Sequence, residues 1–249
     1  MSEALVETRC EGAVCVLQLR REEKLNALSS AVEQALGEAL ASEGVRESAC
    51  VVVTGSGRAF SAGADITEFR DRDAEGVLRY YRDAGAVYEQ LAALPQPTIA
   101  AIHGYCLGGG LELALATDFR VADETAVFGF PEVGLGILPS SGGTTRAAKL
   151  LGSARAKELI LLGGRRSAQE ALSIGLVTEV VAEGGALDRA LELGRSLAEL
   201  SPVAVAVIKQ AIDAAPEASR EASLLIERLA YGLLAQTDAA REAAEGFGS

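Results

Sequence analysis

Short, uninterrupted apolar runs recur along the first half of the chain, each beside a polar or glycine-containing turn. Such runs are typical of strands that are buried on both faces of a parallel sheet. They predict strands at residues 14–19, 49–54 and 98–102, and a similar run predicts a further strand at residues 176–181.

Helical periodicity fills the segments between these strands. Ser30 and Glu33 have the spacing of a capping box, in which each side chain bonds the backbone N–H group of the other residue. They predict a helix that ends near Gly44. A second helix is predicted over residues 74–94, since Pro95 interrupts the pattern there. A strand, a helix and another strand form a crossover unit, so the pattern predicts an α/β fold.

The pattern becomes mainly helical in the last third of the chain. Ser167 and Glu170 again have capping-box spacing, and Pro202 occupies a position where a helix begins without losing a useful backbone donor. Broad apolar faces at residues 203–215 and 222–235 need covering. Either another subunit or the rest of the same domain covers them, and the pattern leaves both open.

The composition excludes several classes of protein. With 249 residues, 49% of them hydrophobic, the chain is long enough for a large core. Its net charge of −12 opposes nucleic-acid binding, because phosphate contacts need clustered Lys and Arg. No apolar stretch approaches the roughly 20 residues that span a bilayer, so we expect no membrane partner. The four cysteines lack metal-site spacing, so we expect reduced thiols, no metal and a cytoplasmic location.

Two loops rich in small residues each follow a predicted strand. In one, residues 108–110 are all glycine and open a helix, so their backbone N–H groups lie at the positive end of the helix dipole. The other loop, residues 55–65, would supply a second donor. Two converging N–H groups suit the oxygen of a thioester enolate. Glycines at a helix start also allow close packing of the helix on a strand, and the sequence permits both explanations.

Two isolated carboxylates lie among apolar residues near these loops. Glu112 falls on the first turn of the glycine-led helix, between Leu111 and Leu113, and Glu132 follows a predicted strand. Burial among apolar groups raises the pKa of a carboxyl group toward the range useful for acid–base catalysis. The two groups could share a water molecule, although Glu112 would also stabilise its helix without any chemical role.

These motifs resemble the enoyl-CoA hydratase/isomerase (crotonase) family. The resemblance rests on residues 99–114 (IAAIHGYCLGGGLELA), 130–139 (FPEVGLGILP) and 142–146 (GGTTR). It begins at residues 25–28 (LNAL), includes residues 60–65 (FSAGAD) and reaches the second capping box, so it covers most of the chain in the family's order.

The resemblance implies a fold, an assembly and a substrate class. The fold is α/β and crotonase-like (the ClpP/crotonase fold), a spiral of ββα units. Residues 1–190 would form this core with the CoA site, and residues 191–249 a C-terminal helical region for oligomerisation. The expected assembly is a homotrimer or a dimer of trimers. The expected partner is an acyl-CoA thioester, so coenzyme A belongs to the substrate and no separate cofactor is expected.

The resemblance also implies roles for particular residues. The N–H groups of Ala64 and Gly109 would form the oxyanion hole for the thioester carbonyl. Glu112 would orient and deprotonate a water molecule and Glu132 would protonate the α-carbon, which gives syn hydration of a 2-enoyl-CoA to a 3-hydroxyacyl-CoA. The CoA moiety would lie near four residues, Lys24, Ala62, Asp65 and Ile66.

Two departures from the family pattern affect these expectations. Ser140 stands where related hydratases commonly have glycine, near the expected catalytic water, so its hydroxyl would contact water or substrate. The chain ends at Ser249, where relatives continue with a basic tail, so the phosphate contact of that tail is not expected. Double-bond isomerisation by Glu132 alone is the alternative activity, and a CoA- or RNA-binding relative without turnover is a third possibility. Acyl chain length and pathway leave no signal in the sequence.

Overall fold

A computed structural model describes residues 4–68, 72–83 and 85–246 of the chain. The chain end at residues 247–249, on which the expectation about the basic tail rests, lies outside these ranges. The strands of the described residues are β1 (Val6–Glu11), β2 (Val14–Leu19), β3 (Cys50–Gly55), β4 (Ala59–Ser61), β5 (Thr98–Ile102), β6 (Tyr105–Leu107), β7 (Phe119–Asp123), β8 (Val127–Gly129), β9 (Arg166–Ser167) and β10 (Glu179–Val181). The four strands predicted from apolar runs are present as β2, β3, β5 and a shortened β10, whereas β1 and β7 were not predicted.

Several helices begin close to the predicted signals, whereas the helix predicted to end near Gly44 ends at Leu40. They are α1 (Ser30–Leu40), α2 (Glu43–Glu47), α3 (Ala74–Asp83), α4 (Ala86–Ala92), α5 (Gly109–Leu115), α6 (Gly143–Leu161), α7 (Ala168–Ser173), α8 (Ala186–Ala198), α9 (Pro202–Ala214), α10 (Arg220–Leu234) and α11 (Asp238–Gly246). The Ser167–Glu170 capping box and the Pro202 helix start are confirmed. The single helix predicted over residues 74–94 is wrong, because two helices, α3 and α4, occupy that range.

Six strands form the main sheet, in the order β1-β2-β3-β5-β7-β10. Strand β1 is antiparallel to β2, and the other neighbours are parallel. Every residue of β3 and β5 is buried, which explains why their sequences are apolar without alternation.

A second, smaller sheet repeats the same design beside the first. Its order is β4-β6-β8-β9, and β4, β6 and β8 each follow directly on a strand of the main sheet. A helix comes next in each case, so the chain repeats a strand–strand–helix unit. This is the ββα repeat that the resemblance implied. The loops at the strand ends are therefore gathered at one edge, where ligand sites of α/β folds lie.

Helices cover both faces of the main sheet. On one face, α8 packs Ala190 and Leu191 against Val52 and Ile99. On the other, α1, α4 and α5 enclose a larger apolar cluster. The predicted boundary between residues 190 and 191 falls inside α8, which packs on the core throughout. The division into two regions stays a prediction, and by packing the helical region begins after α8.

The last three helices have little contact with the core. No residue described in α9, α10 or α11 is buried, and the apolar side chains of Ile212, Leu225 and Leu229 are exposed. One anchor is the Lys209 ammonium, which lies 2.8 Å from the carboxylate of Asp118. The apolar faces predicted to need covering are thus present, and the predicted oligomer stays a prediction. In the described part of the chain, no helix is both long and apolar enough to cross a membrane.

The start of α1 differs from its prediction. Ser29, not Ser30, is the N-cap, and its hydroxyl accepts from the Val32 N–H at 3.3 Å. The Glu33 carboxyl does not return to the helix start, because it is buried and bonded to two tyrosines of other helices. Burial on the inner face of α1 overrides the local cap.

The expectation of four reduced cysteines is also wrong. Cys10 and Cys15 are direct partners in the β1–β2 register, with Cα atoms 4.0 Å apart, and form a disulfide. Sequence spacing gave no sign of this pairing, since only the antiparallel hairpin brings the two side chains face to face. Cys50 and Cys106 are free and buried.

Candidate active site

The two glycine-containing loops converge on the backbone of Ala64 and Gly109. Ala64 lies beside Leu28 in an isolated parallel bridge, in which Leu28 N–H donates to Gly63 O and Asp65 N–H donates to Leu28 O, each at 2.8 Å. Since both neighbours of Ala64 bond Leu28, the Ala64 N–H points to the opposite side. Gly109 is the first residue of α5, where N–H groups have no partner within the helix.

Short distances show how closely these two backbones approach. A Cβ atom placed on Gly109 would lie 3.2 Å from the Ala64 nitrogen, and one on Gly63 would lie 3.4 Å from the Gly109 nitrogen. Gly63 also has φ +105°, a conformation that L side chains rarely adopt. The structure therefore brings together the two N–H groups predicted to form an oxyanion hole.

Glu112 is held by backbone donors on the far side of the site. It lies on α5 and is 4% exposed, and its Oε1 atom accepts from the N–H groups of Ser141 and Gly143 at 2.7 and 2.8 Å. Burial raises the pKa of Glu112, while these N–H groups and the Arg146 guanidinium lower it. The net effect is a raised pKa, and the N–H donors and the guanidinium favour the carboxylate form against its burial.

Glu132 faces the glycine-led helix from the other direction. It begins a 3-10 helix, Glu132–Leu135, just after β8, and its Oε1 atom would lie 2.5 Å from a Cβ atom on Gly108. A side chain at position 108 would therefore displace this carboxyl group from its place. The Glu132 Oε2 atom is buried and has no hydrogen-bond partner among the described residues.

The electrostatics of the two carboxyl groups differ. Burial, with a smaller contribution from the charge of Glu112, raises the pKa of Glu132 to about 7. Among the described residues, no other residue donates a backbone N–H group to Glu132, whereas Glu112 has two such donors. One carboxyl group therefore suits the role of a base and the other that of an acid at neutral pH.

The residues predicted to contact CoA lie beside this centre. The Ala62 N–H donates to the carbonyl of Leu25 at 2.9 Å, which places Lys24 near Ala62, and both Lys24 and Ile66 are exposed. The Asp65 side chain is already bonded to the protein, by Thr67 at 2.6 Å and Arg21 at 2.8 Å.

Through these bonds Asp65 has a structural role. The hydrogen bond from Thr67, followed by that from Arg21, lowers the pKa of Asp65, so its carboxylate is charged at neutral pH. It fixes the segment that follows Ala64. The contact of these four residues with CoA stays a prediction.

Ser140 closes another side of the site. Its hydroxyl donates to the Tyr81 hydroxyl at 2.5 Å, and the next residue, Ser141, donates its N–H to Glu112. Ser140 is exposed, so the predicted contact with water or substrate stays open to it. Tyr81 belongs to α3, and the bond therefore links that helix to the loop that holds Glu112.

Sequence reasoning missed Asn26, which organises the first loop. Asn26 is fully buried with φ 54°, and its amide donates to the carbonyls of Ser56 and Ala59 at 2.9 and 2.7 Å. Asn adopts positive φ more readily than most non-glycine residues. This preference and the place of Asn26 in the motif of residues 25–28 were the available signals, and neither reveals the long-range partners.

Comparison with known proteins identifies the family of the chain. The family model described as enoyl-CoA hydratase/isomerase matches residues 9–248. A short-chain-enoyl-CoA hydratase of Clostridium acetobutylicum is 37% identical over 95% of this chain and 92% of its own length. A 2,3-dehydroadipyl-CoA hydratase of Escherichia coli is 38% identical over 99% of this chain and 96% of its own.

A solved structure shows the same backbone. The crystal structure of enoyl-CoA hydratase from Bacillus anthracis has a TM-score of 0.91 at 37% identity and covers 98% of this chain and 96% of that one. This similarity confirms the crotonase fold predicted from the motifs. The chain is an enzyme that belongs to the enoyl-CoA hydratase/isomerase family.

Proposed function

We propose that this enzyme adds water to a 2-enoyl-CoA thioester and forms the 3-hydroxyacyl-CoA. The main support is the pair of carboxyl groups, Glu112 and Glu132, in different environments beside one pair of backbone donors. Isomerisation moves a single proton and needs only Glu132, so the held and buried Glu112 favours hydration. Relatives named as hydratases at 37–38% identity support the same choice.

Glu112 is the base in this proposal. Its carboxylate orients a water molecule and takes one proton as the water oxygen bonds to C3 of the enoyl group. The donors Ser141 and Gly143 hold Oε1 in place, so the carboxylate needs no rearrangement during the step.

The backbone donors stabilise the intermediate. When water adds to C3, the electrons of the double bond move toward the thioester oxygen, and the N–H groups of Ala64 and Gly109 bind the resulting enolate. One such donor is worth roughly 3 kcal/mol.

Glu132 is the acid. Because burial raises its pKa to about 7, a large fraction is protonated at neutral pH, and its proton passes to C2 as the enolate collapses. Glu112 gains a proton and Glu132 loses one, and exchange with solvent restores both. Addition of the hydroxyl group to C3 and of the proton to C2 from one face gives the syn product.

The proposal extends to the surroundings of the site. Lys24, Ala62, Asp65 and Ile66 contact the CoA moiety, coenzyme A enters only as part of the substrate, and the exposed faces of α9 and α10 pack in a homotrimer or a dimer of trimers. A cytoplasmic location rests on this substrate class and on the free thiols of Cys50 and Cys106, whereas the Cys10–Cys15 disulfide counts against it.

Replacement of Glu112 by Gln tests the two-carboxylate mechanism. The amide cannot accept a proton from water, so kcat for crotonyl-CoA hydration should fall by at least about 10²-fold. Loss of the conjugated-thioester absorbance measures the rate. Glu38→Gln, an exposed change on α1, is the matched control.

Near-normal hydration by Glu112→Gln would contradict the mechanism. Double-bond migration without hydration by the wild type would identify the isomerase alternative, and RNA binding without turnover would identify a non-catalytic relative. A panel of enoyl-CoA thioesters of different length and aromatic character would then define the acyl group.

A further inference from the structure

A third buried carboxyl group lies outside the pair that the proposed chemistry uses. Glu33 on α1 is 2% exposed, and its two oxygens accept separate hydrogen bonds. Tyr80 of α3 donates to Oε2 at 2.7 Å, and Tyr88 of α4 donates to Oε1 at 3.0 Å. Glu33 thus connects three helices through polar contacts inside an apolar cluster.

The Tyr88 hydroxyl lies close to the oxyanion pair. A Cβ atom on Gly109 would be 3.4 Å from Tyr88 Oη and 3.2 Å from the Ala64 nitrogen. The Tyr88 side chain is itself 2% exposed, so its position is set by packing and by the bond to Glu33. The hydroxyl therefore lies near Gly109, the residue that supplies one of the two N–H groups.

Stability alone does not explain a carboxyl group at position 33. Burial is unfavourable for its charged form and raises the pKa of Glu33 to about 7, against the lowering effect of the two tyrosine bonds. The nearby carboxylates of Glu68 and Glu112 raise it further. An apolar side chain on this face of α1 would avoid that cost, and buried ionisable groups cluster at functional sites.

We propose that Glu33 is a positioning residue that, through the hydrogen bond from Tyr88, holds the Gly109 N–H in line with the Ala64 N–H. This inference rests on the proposed hydration. It assigns Glu33 no contact with substrate. Glu33 acts by aligning the Ala64 and Gly109 N–H groups, whose hydrogen bonds to the substrate oxygen strengthen as the enolate forms.

Two substitutions remove the hydrogen bond from opposite ends. Glu33→Leu removes the acceptor and Tyr88→Phe removes only the donor oxygen. Both should lower kcat for crotonyl-CoA hydration about tenfold, because small misalignment weakens transition-state binding more than substrate binding. KM should stay within about twofold of the wild-type value. Glu33→Gln keeps the shape and an acceptor, so it should restore kcat, and Glu38→Gln is the control on α1.

Tyr80→Phe separates this role from a general one in packing. It breaks the other bond of Glu33 and leaves Tyr88 in place, so kcat should stay close to wild type. A lower kcat in Tyr80→Phe together with a normal kcat in Tyr88→Phe would overturn the proposal. The proposal would also be overturned if Glu33→Leu and Tyr88→Phe lowered thermal stability but left kcat unchanged. Tyr88→Phe keeps the test decisive if Glu33→Leu fails to fold.

A spectroscopic readout distinguishes failure of this inference from failure of the proposed function. The near-ultraviolet absorbance of a bound 3-ketoacyl-CoA enolate reports the oxyanion hole without any hydration. The enolate fraction should fall in Glu33→Leu and Tyr88→Phe and return in Glu33→Gln. Unchanged enolate in the variants, with an active wild type, refutes the inference alone. A wild type that neither hydrates crotonyl-CoA nor binds the enolate refutes the proposed function.

Discussion

The ββα core and the last three helices place charge and apolar surface in opposite ways. The core buries Glu33, Glu112 and the Oε2 atom of Glu132, and burial raises the pKa of all three groups. Helices α9–α11 instead expose apolar side chains such as Leu229 and form ion pairs at the surface, as Arg241 does with Asp238.

The core and the C-terminal helices obtain their stability from different contacts. The core has enough packed apolar surface to tolerate carboxyl groups that oppose folding, and those groups surround the proposed site. The C-terminal helices bury too little by themselves, so their stability depends on contacts such as Lys209 with Asp118 and on the proposed subunit interface. Substitutions in the two regions should therefore have effects of different kinds.

Glu132→Gln should have the largest effect and should separate activity from stability. Without an acid at C2, kcat for hydration should fall by at least about 10²-fold. An amide cannot ionise in a poorly solvated position, so Tm at neutral or higher pH should rise. Steady-state kinetics and calorimetry measure the two effects. A kcat near the wild-type value would show that another group protonates C2.

Glu33→Gln should change how the stability of the core depends on pH. Because burial raises the pKa of Glu33 from 4.5 to about 7, the folded protein binds this proton more tightly than the unfolded chain does. The stability that this adds is complete below pH 4.5 and is lost as the pH rises through about 7.

The Glu33→Gln variant does not lose this stability as the pH rises, because glutamine does not titrate. Between pH 4.5 and pH 7 its free energy of unfolding should therefore gain on that of the wild type, by about 3 kcal/mol at most. Urea unfolding at several pH values measures the difference. Glu38→Gln, which removes an exposed carboxylate on the same helix, should run parallel to the wild type. A parallel curve for Glu33→Gln would mean that Glu33 titrates normally.

Lys209→Met should have the smallest effect and tests the anchor of α9. Its ammonium is mostly buried beside Asp118, so its loss should lower the free energy of unfolding by about 1 kcal/mol without changing kcat. Arg241→Met breaks an exposed pair and should cost less than about 0.5 kcal/mol. Urea unfolding at one fixed protein concentration compares them. Equal losses would show that α9 has no special anchor.

Local patterns predicted the framework of the fold well. Continuous apolar runs identify β2, β3 and β5 because both faces of these strands are buried, and the Ser167–Glu170 cap acts within one turn of helix. The strand β1 was missed because most of its residues are exposed. Glu33 was misassigned because the capping-box spacing is local, whereas its actual partners lie 47 and 55 residues away.

The sequence by itself determined the family, the order of the ββα units and the candidates Ala64, Gly109, Glu112 and Glu132. The local patterns showed alternating strands and helices, two glycine loops and two isolated carboxylates, and the resemblance to the family added the ββα order and the roles of Ala64 and Gly109. Only the tertiary structure decided that Ala64 and Gly109 meet and that Glu112 is held by two N–H groups. It also decided that no described residue bonds Glu132 Oε2, and that Tyr88 bonds Glu33 close to Gly109. These facts depend on distances between residues far apart in the chain, which are fixed by packing and not by local periodicity.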